Sequence, residues 1–99
     1  MRAIVRVRLA PHERCDAFEW RLRLIPAVLS AASVTGAADY ELWLECDGFA
    51  GLGDALTQIC GFPGVVVEST SLVLHEVAGL RLRRPAVADG VTKRRLRSM

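Results

Sequence analysis

Polar and apolar residues alternate with a period of two from Arg2 to Leu9. Ala3, Val5, Val7 and Leu9 fall on one side; Arg2, Ile4, Arg6 and Arg8 fall on the other. This pattern predicts a strand with one buried face. The period then changes. Cys15, Phe18, Leu22 and Ile25 recur at helical spacing and predict an amphipathic helix, with Pro11 in its first turn and Pro26 stopping it. Glu19 and Arg23 are spaced on it for an exposed i,i+4 ion pair. Val28 to Thr35 reads as a second strand and Gly36-Ala37-Ala38-Asp39 as a connection. Tyr40 to Cys46 reads as a third strand, with Tyr40, Leu42, Leu44 and Cys46 on one side and Glu41, Trp43 and Glu45 on the other. Asp47 is placed to cap a second helix, whose apolar stripe is Phe49, Leu52, Leu56 and Ile59. Gly51 and Gly53 weaken that helix by about 1 kcal/mol each relative to Ala, so it depends on packing. Gly61 and Pro63 end it, and Val65 to Val77 reads as a long last strand.

The two halves repeat at an offset of 37 residues: Val5, Val7 and Leu9 return as Leu42, Leu44 and Cys46, and Ile25-Pro26-Ala27-Val28 returns as Phe62-Pro63-Gly64-Val65. Two strand-helix-strand units in series predict the α+β, ferredoxin-like order β-α-β-β-α-β, a four-stranded antiparallel sheet with both helices on one face. In the usual strand order 4-1-3-2, the first strand lies beside the third. Arg6 and Arg8 then sit near Glu41 and Glu45, with Ile4 and Trp43 among them. A helix-free face carrying Trp, Ile and paired charges is expected to bury against a second copy. Ile4, Arg6, Arg8, Glu41, Trp43 and Glu45 are therefore the candidate dimer interface.

Ninety-nine residues are one domain's worth of chain. No apolar run approaches the roughly 20 residues needed to span a bilayer, and the arginine-interrupted start is not a signal peptide. Cys15, Cys46 and Cys60 are odd in number, lack C-x-x-C spacing and fall in apolar patterns, so they are expected to be reduced, packed thiols in a cytoplasmic protein. Residues 1–78 hold six Arg against ten Asp or Glu, a balance of −4; residues 79–99 hold seven Lys or Arg against Asp89, a balance of +6. The division predicts a folded domain over 1–78 and a flexible basic tail over 79–99. Lys93-Arg94-Arg95 and Arg97 can attract phosphates weakly and without sequence preference. They lack an aromatic residue for base stacking, and a solvated tail is the plainer reading.

Catalytic patterns are sparse. His12 and His75 lie far apart, without a partner at metal-ligand spacing, and no phosphate-binding glycine loop occurs. No metal or cofactor is expected. Trp20, Trp43 and His75 are the residues that could furnish a cavity like that of the small dimeric α+β-barrel monooxygenases, which share this element order. That enzyme reading and a ligand-free assembly partner of a DNA-binding regulator are the two alternatives to the reading below.

Ile25-Pro26-Ala27-Val28, then Ser33 to Leu42, then Phe62-Pro63-Gly64-Val65, then Ser69 to Leu74 with Glu76-Val77, taken in order and spacing, resemble the C-terminal effector domain of the Lrp/AsnC transcription regulators. The resemblance covers residues 2–78. It implies a non-enzymatic domain of dimeric α+β-barrel type that pairs through its sheets and often assembles into octamers. It also implies an amino acid or related metabolite bound between subunits. The implied ligand-binding residues are Thr35, Gly36, Ala37, Ala38, Asp39 and Tyr40, with Thr70 and Ser71 of the last strand nearby. The family's DNA-binding helix-turn-helix precedes this domain. The chain opens directly on the first strand, so DNA is expected to be reached only indirectly. One departure stands out: the family commonly has Gly-Asp-x-Asp where this chain has Gly36-Ala37-Ala38-Asp39, so the acid that could hold a ligand ammonium is missing at Ala37. Asp39 either contacts ligand or shapes the turn.

Overall fold

A computed structural model of the chain describes residues 1–80; the expected basic tail lies almost wholly outside the described residues. The elements are β1 (Arg2–Leu9), α1 (Cys15–Leu22), β2 (Val28–Ser33), β3 (Tyr40–Glu45), α2 (Gly48–Cys60) and β4 (Val65–Leu72). The four strands form one antiparallel sheet in the order β2-β3-β1-β4. The expected ferredoxin-like topology is the observed one.

The period-two pattern of β1 and β3 decides the layering. Ala3, Val5, Val7 and Leu9 face the helices together with Tyr40, Leu42, Leu44 and Cys46, and all are buried. Phe18 and Leu22 of α1 and Leu52, Ala55 and Ile59 of α2 close over them. Each large side chain in this layer contributes about 1.5–3 kcal/mol by leaving water. Phe18 sits at the middle of the aromatic contacts, its ring centroid 4.9 Å from Tyr40 and 6.4 Å from Phe62.

Several local expectations change. Pro11 lies in a turn that precedes α1, closed by the Glu13 N–H donating to the Ala10 carbonyl at 2.9 Å. Ile25 is buried although it follows the helix. Asp47 precedes α2 but makes no side-chain capping bond. Phe49 is exposed, and Leu56 is only partly buried. The buried stripe of α2 is centred on Leu52, Ala55 and Ile59; at 100° per residue Phe49 lies about 90° away from it. Cys60 falls off that stripe as well. Of the three thiols expected to be packed, Cys46 is buried, while Cys15 and Cys60 at helix ends are exposed; all three are free. The Cys46 thiol is pushed up from its ordinary value, chiefly by burial.

The open face carries the expected ladder of charges with different pairings. Arg6 Nη2 lies 2.8 Å from Glu41. Glu45 is held by Arg2 at 2.9 Å and by the N-terminal ammonium at 3.0 Å. Arg8 pairs with Glu68 of β4 instead. The register explains this. Arg2 stands opposite Glu45, and β3 begins opposite Val7, so Arg8 has only β4 beside it. The Arg2 hydrogen bond, assisted by the N-terminal ammonium, holds the Glu45 carboxyl below its ordinary value. Ile4 and Trp43 are directly opposite partners and half-buried.

β2 and β4 both end sooner than their sequence patterns suggest. β2 stops at Ser33 because the Val34 N–H turns to donate to the Asp39 carbonyl at 2.9 Å. β4 stops at Leu72 because β1 begins at Arg2. The Val73 N–H bonds the Arg2 carbonyl at 3.0 Å, and residues 74–80 run past the sheet.

Candidate functional site

The connection between β2 and β3 crosses the end of β1, and Asp39 pins it there. Its backbone N–H donates to the Val7 carbonyl at 2.8 Å, and its carboxylate accepts the Leu9 N–H at 2.7 Å. Gly36 takes φ 108°, which favours glycine, so it serves the turn. The anchoring leaves Thr35, Ala37 and Ala38 along one wall of a cleft of about 460 Å³ on the open side of the sheet. Arg6 and Glu41 line its floor, and Glu68 and Ser69 of β4 form the opposite wall.

A β-bulge brings that opposite wall into place. Arg6 pairs with Ser69 but the next pair is Val7 with Val67, which leaves Glu68 as an extra residue in β4. An inserted residue shifts the alternation of a strand and can re-aim side chains. Glu68 and Ser69 therefore both reach the cleft. Thr70 stands opposite Val5 and Ser71 opposite Ile4; neither lines it. Tyr40 is turned to the helix side, stacked on Phe18, with its hydroxyl donating to Glu19. The expected Glu19–Arg23 ion pair does not form, because the Glu19 carboxylate binds Tyr40 and Arg23 donates to the Glu19 backbone carbonyl at 3.2 Å. Burial first, and then that bond, raise the Tyr40 phenol well above its ordinary value.

Thus Thr35, Ala37 and Ala38 meet in one cleft, Gly36 and Asp39 shape it, and Tyr40, Thr70 and Ser71 lie outside its lining. Glu68 was missed because a bulge leaves no plain mark in a strand of mixed composition. Chemically the cleft offers one guanidinium, two carboxylates and two hydroxyls, with both carboxylates already paired to arginines. Such a set suits a small molecule bearing both an ammonium and a carboxylate. Among the described residues no group of three or more His, Cys, Asp or Glu is arranged to hold a metal ion, and no helix is long and apolar enough to cross a membrane.

The family model of the Lrp/AsnC ligand binding domain matches residues 2–81. Among solved structures, the chain is similar to the feast or famine regulatory protein of M. tuberculosis complexed with L-methionine, at TM-score 0.71 and 25% identity over 85% of this chain and 56% of that one. It is similar to TTHA0845 from Thermus thermophilus at TM-score 0.61 and 29% identity, covering 79% of this chain and 95% of that one. The leucine response regulatory protein of Mycobacterium tuberculosis, at 23% identity and TM-score 0.68 over 79% of this chain and 53% of that one, shares the fold. The chain spans about half the length of the two mycobacterial regulators. No curated protein matches it.

Proposed function

This chain belongs to the Lrp/AsnC ligand-binding domain family, and we propose that it senses a small zwitterionic metabolite of the amino-acid class on behalf of a transcription regulator. The observation that carries this reading is the cleft under Thr35, Ala37 and Ala38, where Arg6 and the carboxylates of Glu41 and Glu68 converge within about 460 Å³. That volume falls in the range of small-molecule sites, about 300–1,000 Å³. The acid that the connecting loop lacks at Ala37 is offered from β4 by Glu68, across the same cleft. A ligand carboxylate has Arg6 to meet it. The mycobacterial protein solved with L-methionine supports the ligand class.

Copies associate through the open sheet face, where Ile4 and Trp43 lie between the ion pairs. The cleft opens on that same side, so ligand occupancy and assembly are linked: a ligand that binds one assembly state better shifts the population toward it. Dimers, and octamers built from them, are the states to be shifted. DNA is reached through a helix-turn-helix elsewhere in the regulator, in the cytoplasm. No catalytic role is assigned. Trp20 projects from α1 on the helix side and Trp43 lies on the opposite face of the sheet, so the two do not build one enzyme cavity.

A thermal-shift screen against the twenty amino acids and common metabolic intermediates tests the reading. A ligand at a hundred times its dissociation constant adds about 2.7 kcal/mol, a shift of several degrees for a domain of this size. Glu68→Gln is expected to abolish the shift. Asp39→Asn keeps an acceptor for the Leu9 N–H and should retain it, whereas Asp39→Ala leaves that N–H unpaired and should lower stability by about 1–3 kcal/mol. A flat panel with the unaltered protein would sink the sensor reading.

A further inference from the structure

At the end of the sheet where β3 passes into α2 lies a hollow of about 330 Å³, separate from the cleft. Ile25 and Ala55, both buried, and Pro26 give it an apolar lining; Glu45, Asp47 and Asp54 line it as well. Asp47 and Asp54 differ from the other carboxylates of residues 1–78. Each of the others accepts a hydrogen bond or faces a cation within the chain. Among the described residues, Asp47 and Asp54 have no ion-pair partner. They stand about two helical turns apart, on one side of the start of α2. An apolar hollow with two unmatched acids beside it fits a segment that is apolar and cationic at once.

We infer that Arg81-Leu82-Arg83-Arg84, the first residues of the basic tail, dock in this hollow on their own chain. These residues lie outside the described part of the chain; their sequence, and the point at which the chain leaves β4, carry the inference. The Arg2 guanidinium bonds Glu45 at 2.9 Å and Glu76 at 3.2 Å. The segment leaving β4 thus passes one side chain's width from a residue that lines the hollow. The five residues from Glu76 to Arg81 can span roughly 17 Å. Crossing from β4 over β1 to β3 takes only about 10 Å. The charges match: residues 1–78 carry −4 and residues 79–99 carry +6. Guanidinium groups suit exposed carboxylates because their planar donors can bind both oxygens. Leu82, set between the arginines, meets Ile25 and Pro26. Tethering raises the local concentration of the segment, so contacts that are weak singly suffice to hold it.

Limited trypsin digestion and two-dimensional amide NMR of the full chain test it. The Asp47→Asn, Asp54→Asn double variant removes both charges and keeps both shapes. The two side chains are exposed, and Asp47 makes no capping bond, so the fold tolerates the change. At low salt, trypsin should cut after Arg81, Arg83 and Arg84 on the order of tenfold more slowly in the unaltered chain than in this variant, the weight of two exposed ion pairs. Cutting after Lys93, Arg94 and Arg95 should not differ, and added salt should close the gap. An Arg81→Gln, Arg83→Gln, Arg84→Gln triple variant should shift the amides of residues 25–27 and 46–54 and leave those of 34–39 in place. Equal cutting rates overturn the inference, as do unmoved amides around the hollow. Protection that vanishes on dilution places the tail on a second copy and overturns docking on its own chain. Tail amides that respond to a short DNA duplex but not to the double variant assign the tail to nucleic acid, which overturns it too.

Discussion

The two central strands and the two edge strands of one sheet end in different states. Every helix-facing residue of β1 and β3 is buried, several with no exposed surface at all. In β2 and β4 no residue is fully buried. Two helices, one of 8 and one of 13 residues, leave Val28, Val65 and Val67 of the edge strands only partly buried against the core. The centre is therefore where the fold gains its stability, and the edges are where surface is left for other molecules. The candidate cleft takes Glu68 and Ser69 from one edge strand and the residues after β2 from the other. Residues 74–80 run past one edge, and a groove of about 390 Å³ lies along the other.

The sharpest way to break this contrast is to truncate one leucine in each zone. Leu42→Ala removes a side chain with 0% exposure at the centre and should destabilise the isolated domain by about 2–5 kcal/mol. Leu29→Ala on the β2 edge, where the side chain is 53% exposed, should change monomer stability by less than about 0.5 kcal/mol. Denaturant melts at low protein concentration measure both. Equal losses at the two positions would mean that the edge is part of the core after all.

The next effect lies on the other face of the central strands. Trp43 stands opposite Ile4, flanked by Glu41 and Glu45. Trp43→Glu removes the largest apolar group of the proposed interface and adds a third acid to the row. A buried aromatic anchor is worth about 2 kcal/mol or more per protomer, so the variant should be monomeric where the unaltered chain is paired. A dimer of unchanged strength in light scattering would refute the sheet-face interface without touching the core argument.

The same contrast governs what the sequence reveals. The centre was legible. β1 and β3 alternate cleanly, which gives the layering, and the Arg6–Glu41 and Ile4–Trp43 neighbours follow once the usual ferredoxin-like strand order is applied. The edges were not. A bulge in β4 shifts the alternation between Val67 and Ser69, so Glu68 lines the cleft, while Thr70 and Ser71, which the resemblance implied, lie outside its lining. The length of β4 depends on where β1 begins, a tertiary fact that its own pattern up to Val77 does not contain. Helix phase was legible only to within a quarter turn, which is enough to place Leu52 and Ile59 and to misplace Phe49. The connection was read as Gly36 to Asp39, with Val34 and Thr35 still in the strand, whereas β2 ends at Ser33. That the Asp39 carboxylate would be occupied by the Leu9 N–H needed the crossing over β1.

The smallest effect tests the one side chain that joins centre to edge. Tyr40 opens β3, buries its ring against Phe18, and sends its hydroxyl to Glu19 at the lip of the β2 groove. Tyr40→Phe keeps the ring and removes one hydrogen bond, which should lower stability by about 0.5–1.5 kcal/mol at neutral pH. Burial and the Glu19 bond raise the folded phenol above the ordinary value, which is about 10 in an unfolded chain. The unfolded state therefore releases its proton first as the solution becomes alkaline. The contribution of Tyr40 is complete below pH of about 10 and is lost as pH rises from there toward the folded value. Tyr40 is the only tyrosine in the chain, so tyrosinate absorbance reports it alone. Titration of the folded protein should show the transition displaced upward, and the alkaline loss of stability should flatten in Tyr40→Phe. A phenol that titrates at its ordinary value would mean that water reaches the hydroxyl freely, and that the groove along β2 is open down to the central strand.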